Sequence, residues 1–312
     1  MLPINEIGSY KLREWVKIDC IDWFNLSLNR NAIDLLKKNQ DKIDWMKICS
    51  NSNALDIIEK NQDKIDWASS NSVSGCFLSS NPNAIQLLEK NQDKINWRWL
   101  SLNESAIHLL ENNQEKIDWI YLSGNPNAIH LLENNLEKID WVMLSSNPNA
   151  IQLLENNQKK IIWYWLSKNP NAIQLLENNQ DKIDWSMLCS NPNAIHLLEK
   201  NQHKIDWFWL SSNPNAIHII KNNLEKINWF NLCLNVNALE ILEKNVDKIN
   251  WRSISYNPEI FSFEYEYEKM KFNMKNIGLG EEIISRVFDP KRLNYICNTY
   301  HIELRKLIQI YS

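Results

Sequence analysis

Polar and apolar positions follow one another along this chain in a pattern that recurs every 22 residues. In residues 190–207, SNPNAIHLLEKNQHKIDW, apolar side chains fall at Ala194, Ile195, Leu197 and Leu198 and, after a polar stretch, at Ile205 and Trp207. Tryptophan marks the register at 23, 45 and 67, then at 97, 119, 141, 163, 185, 207, 229 and 251, so the interval is 22 with one gap of 30. Clustered apolar residues of this kind predict a short helix with one face to bury. Asparagine stands at the helix N-cap position in all eleven copies, Asn29 to Asn257, and seven have proline next, as in Pro126, Pro192 and Pro258. Asn201 and its equivalents predict a left-handed residue closing a first helix over 192–200. Asp or Asn before each tryptophan (Asp118, Asp184, Asn228; Ile162 is the exception) predicts a second cap. The helix it opens, 207–212 in this copy, is short enough to be partly 3₁₀.

Such helices are marginal alone, because nucleation is costly and few hydrogen bonds repay it. Stacking must stabilise them. The pattern predicts an all-α fold, a right-handed α-solenoid of about 10–11 repeats. The repeats extend through residue 256 after an N-terminal cap of about 1–22, and a helical C-terminal cap occupies 257–312. A rise of about 8 to 10 Å per unit makes an elongated, curved rod. The long interval, at about 68–80, puts Gly75 in the tryptophan position and predicts a poor interface or a bulge.

Composition narrows the chemistry. With 44% hydrophobic residues among 312, the chain can bury a core, and five glycines argue against phosphate-cradling loops and sheets with many tight turns. The net charge of -4 is spread without blocks, and no apolar run reaches the length of a signal peptide or membrane span, so a soluble intracellular protein is expected. Cys49, Cys189 and Cys233 occupy a position held by serine in most copies and read as small, buried and reduced.

The pattern W-x-x-L-S-x-N-P-N-A-I-x-L-L-E-x-N over about residues 15–257 resembles the short tandem repeats of uncharacterised proteins from giant DNA viruses of the mimivirus group. More distantly it is similar to leucine-rich variant repeats, which alternate an α-helix with a 3₁₀ helix. The stretch EEIISRVFDPKRLNYI, 281–296, resembles a C-terminal segment of many proteins of such viruses, with Asp289 in place of the histidine of their F-H-P-x-R core. The resemblance implies interaction modules and carries no reaction.

Candidate sites are few. His108, His130, His196 and His218 share a column with Gln86, Gln152, Gln174, Asp34, Asp56 and Glu240, and that exchange marks a solvated position. One helix spacing separates neighbouring copies, too far for two imidazoles to share a zinc, so no metal is expected. No catalytic motif is present, the acids Glu199 and Asp206 recur in other copies, and neither enzymatic activity nor a cofactor is expected. A lysine recurs from Lys42 to Lys248, its expected role to lay its stem over apolar surface and pair with an acid. The column two residues after tryptophan holds Trp99, Tyr121, Met143, Trp165, Met187 and Trp209, either packed between units or exposed as a partner-binding ladder. The expected function is a noncatalytic scaffold for a protein partner. The alternatives are a modular nucleic-acid reader, disfavoured by the lack of a basic stripe, and a structural component of a virus particle.

Overall fold

The computed structural model describes residues 8–67 and 77–265. Short helices at regular 22-residue intervals dominate them. The chain divides into two compact units, residues 12–261 and residues 1–11 with 262–312. In the second of these, strand Gly8–Leu12 pairs with strand Phe261–Tyr265, and the Tyr10 and Phe263 rings meet edge to face at 5.1 Å. The expected C-terminal cap helices beyond 265, most of the break at 68–80, and Gly75 lie outside the described residues.

Most described repeats add a 3₁₀ turn between the two helices that sequence predicts. In residues 191–212 the pieces are Ile195–Lys200, a 3₁₀ turn Gln202–Lys204, and Trp207–Leu210. The first is shorter than expected because Asn191 caps a tight turn preceding it: the Asn193 N–H donates to Asn191 Oδ1 at 3.0 Å. Asn201 ends that helix by another route than the left-handed one. Its φ is -129°, and its Nδ2 donates to the Leu197 carbonyl at 2.9 Å, satisfying one of the helix's orphan acceptors. The cap before tryptophan forms as expected, with Asp140 Oδ1 accepting from the Met143 N–H at 2.8 Å, whereas Ile162 makes no side-chain cap.

Buried polar bonds join each unit to the next. Asn51 Nδ2 donates to the carbonyls of Ser27 at 3.1 Å and Asn29 at 3.0 Å, in the preceding unit. The same pair of bonds recurs at every later copy, for example from Asn147 to Ser123 and Asn125. A serine hydroxyl adds a third link, as where the Asp118 N–H donates to Ser101 Oγ at 3.0 Å. The 30-residue interval does not interrupt the series, since Asn81 Nδ2 reaches the Cys49 and Asn51 carbonyls at 2.8 and 3.2 Å. Around these bonds lies the apolar core of fully buried Leu88, Leu110, Leu132, Leu154 and Leu176 with the alanines Ala84 to Ala172.

The series has no end. Asn29 Nδ2 donates to the carbonyls of Ser255 at 3.0 Å and Asn257 at 2.9 Å, and the Asp22 N–H donates to Ser255 Oγ at 2.9 Å. These are the ordinary inter-unit bonds, made between the first copy and the last. In place of the expected elongated rod, residues 12–261 form a closed cycle of eleven buried asparagines. The closing unit is assembled from both ends of the repeat region. Asn257 and the turn Pro258–Ile260 supply the start of a unit, while Ile18–Cys20 and Trp23–Leu26 supply its second half. Arg13 ties the pieces together, its N–H donating to the Ile260 carbonyl at 3.0 Å and its Nε to the Glu259 carbonyl at 2.8 Å.

Candidate partner-binding surface

The repeated lysine lies over an indole. Ten lysines, from Lys42 over Trp23 to Lys248 over Trp229, place Nζ 4.2–5.2 Å from the ring centroid of the preceding unit's tryptophan. The expected stem packing is thus joined by a cation–π contact, and among the described residues only Lys226 of the ten also lies within ion-pair distance of an acid, 3.9 Å from Glu225. Above Trp251 the equivalent position is the exposed Cys20.

The histidine column also works between units. His108, His130, His196 and His218 place Nε2 2.8–3.0 Å from Oε1 of Glu89, Glu111, Glu177 and Glu199, each 19 residues earlier. Lys221 bonds Glu240 at 2.7 Å with the same spacing. Lys221 and Lys244 together pull the Glu240 carboxyl down to about 2. Among the described residues no group of three His, Cys, Asp or Glu side chains could hold a metal ion, and no helix is long and apolar enough to cross a membrane.

Two of the three cysteines in the serine column behave as expected. Cys189 and Cys233 are free and buried, and burial pushes each thiol up to about 11. Cys49 departs from the expectation of a reduced thiol: it is disulfide-bonded.

The ladder two residues after tryptophan is graded. Trp99, Tyr121, Met143 and Trp209 are half-buried, Met187 is buried, and Trp165 is exposed at 37%. Its members pack on neighbouring units: Phe77 meets Trp99 edge to face at 4.7 Å, and Trp99 meets Tyr121 likewise at 5.1 Å. Met143 lies so close over Gly124 that a Cβ there would come within 2.9 Å of its Cε, so the glycine makes room for the methionine. In the four copies around the closure the column turns small or polar, with Asn231, Ser253, Asn25 and Lys47. Asn231 and Asn25 each donate Nδ2 to the preceding unit's backbone, at Phe208 and Arg252.

No protein family, characterised protein or solved structure matches this chain.

The more exposed row is one residue earlier, directly after tryptophan. Phe24, Met46, Ile120, Val142, Tyr164, Phe208 and Phe230 are 38–54% exposed. Sequence reasoning missed this row by attending to the bulkier neighbouring column. The signal was a position off the buried stripe that is nonetheless apolar in seven of the ten described copies. Where the ladder turns small, a groove of about 530 Å³ opens, lined by Asn25, Phe230, Leu234, Arg252, Ser253 and Tyr256.

Proposed function

We propose that the chain is a noncatalytic scaffold that binds a protein partner through the face carrying the short helices that begin at tryptophan. In this reading the 22-residue units are successive turns of a right-handed α-solenoid whose two ends have met. The exposed apolar row from Phe24 to Phe230 carries the proposal, because large apolar side chains repeated along one face are what interface cores use and what an unpartnered surface avoids. The balance of charge supports it as well: 38 acidic residues outnumber 34 basic ones, whereas phosphate contacts draw on a basic surface.

Affinity capture from the native cell, with the wild-type chain and a Phe208→Ser/Phe230→Ser variant, tests it. Proteins retained by the wild type and lost by a folded variant are expected. Retention of nucleic acid instead of protein at about 150 mM salt would replace this reading with that of a modular reader.

A further inference from the structure

The chain carries the same arrangement twice, once with a tyrosine and once without. In the first, Arg98 follows Trp97, and its Nε lies 3.9 Å from Oδ2 of Asp118, the cap of the next short helix. Its guanidinium covers the ring of Tyr121, two residues after Trp119, at 4.7 Å. In the second, Arg252 follows Trp251, and its Nε lies 3.6 Å from Oδ2 of Asp22. Asp22 caps helix Trp23–Leu26, which the closing bonds make the successor of Trp251–Ile254. The position two after Trp23 is Asn25.

Arg252 therefore has its carboxylate and lacks its ring. Its side chain is 73% exposed, and the space beside it belongs to the 530 Å³ groove, whose remaining walls include Phe230, Leu234 and Tyr256. That volume falls within the usual range for ligand sites, and a planar guanidinium presents a stacking face as well as hydrogen-bond donors.

We propose that this groove binds an aromatic side chain of a protein partner, stacked on Arg252 as Tyr121 is stacked on Arg98. A protein side chain fits better than a nucleobase for two reasons. Asp22 already answers the guanidinium charge, so a phosphate attached to the base finds no spare cation there, and the walls are largely apolar. The inference rests on the protein-binding reading above and names what the partner presents.

The test uses the full chain and follows the Arg252 Nε–Hε resonance by NMR while the peptides Ac-Gly-Tyr-Gly-NH2 and Ac-Gly-Trp-Gly-NH2 are added, with Ac-Gly-Leu-Gly-NH2 and adenosine monophosphate as comparisons. Saturable shifts with the aromatic peptides are expected, at least about fivefold weaker for the leucine peptide, since an aliphatic side chain offers the guanidinium no π face. Asn25→Tyr restores the ring from within and is expected to fold, because the Arg98 and Tyr121 pair already occurs in the chain; it should weaken peptide binding at least about tenfold by occupying the site. Arg252→Gln, which leaves Asn25 in place and is followed at the Ser253 backbone amide because the guanidinium is gone, should weaken it as well. Absence of a shift in the wild type, equal binding by Asn25→Tyr, or a stronger response to the nucleotide would each overturn the proposal. If the wild type and Asn25→Tyr capture the same proteins equally, the aromatic site falls while the scaffold reading stands. If the peptides shift Arg252 and the wild type captures no protein, the site stands and the scaffold reading falls.

Discussion

Substitution of the buried asparagines distinguishes a closed cycle from an open array. In Asn147→Ala the side chain loses two donations, to Ser123 and Asn125 at 3.0 Å each, and the acceptance of the Asn149 N–H at 3.0 Å. Three hydrogen bonds at about 1 kcal/mol net each, plus about 1 kcal/mol for leaving the buried Ser123 carbonyl without this donor, give a loss of about 4 kcal/mol. Against a total stability on the order of 5–15 kcal/mol this is a large fraction. Asn29 makes the equivalent bonds to Ser255, Asn257 and Asn31, so a closed cycle assigns Asn29→Ala the same loss within about 1 kcal/mol. In an open array Asn29 would face solvent on that side, and only the local cap, about 1 kcal/mol, would disappear. Equilibrium urea unfolding of both variants, analysed with their m-values, measures the two losses directly. A loss near 1 kcal/mol at Asn29 beside a full loss at Asn147 would refute closure.

Three further outcomes are expected. Iodoacetamide at pH 8 should label Cys20 in the native protein and reach Cys189 and Cys233 only on unfolding, since burial both raises and shields those thiols; peptide mass mapping reads this out. The Glu240 carboxyl should titrate near 2, and Lys221→Met with Lys244→Met should return it toward 4.5; because the folded-state value is the lower one, its contribution is present above 4.5 and fades as pH falls through 2, as NMR titration would show. Hydrogen exchange should find the helices Ile33–Lys38 and Leu55–Lys60 protected to within tenfold of Ile151–Glu155 and Ile173–Glu177, because closure packs them from both sides; much faster exchange confined to the first two would contradict that.

The repeat and its second cap were legible because each rests on local chemistry: an aspartate or asparagine before tryptophan has an N–H two or three residues away to accept from. Asn201 was misread because its side chain can end a helix without a left-handed backbone, and sequence does not choose between those routes. Closure was harder to see for a different reason. The fragments IDCIDW at 18–23 and NPEI at 257–260 are each recognisable as part of a unit, yet neither is a unit, and only their meeting in space completes one. The groove at Arg252 depends on that meeting too, since one of its walls, Asn25, comes from the opposite end of the repeat region.

A cycle of buried asparagines also determines how many units the chain can have. An open array can gain or lose a unit by duplication or deletion and keep every other interface unchanged, because its ends are free to move apart. Eleven units that return to their start must turn by roughly 33° each on average, and twelve would need roughly 30°, so one added copy would shift every interface at once. The two bonds from each asparagine, near 3 Å throughout, have little room to share out that difference. Copy number is then under the same selection as the core itself, and length variants of this repeat should be rare among chains that close and common among chains that do not.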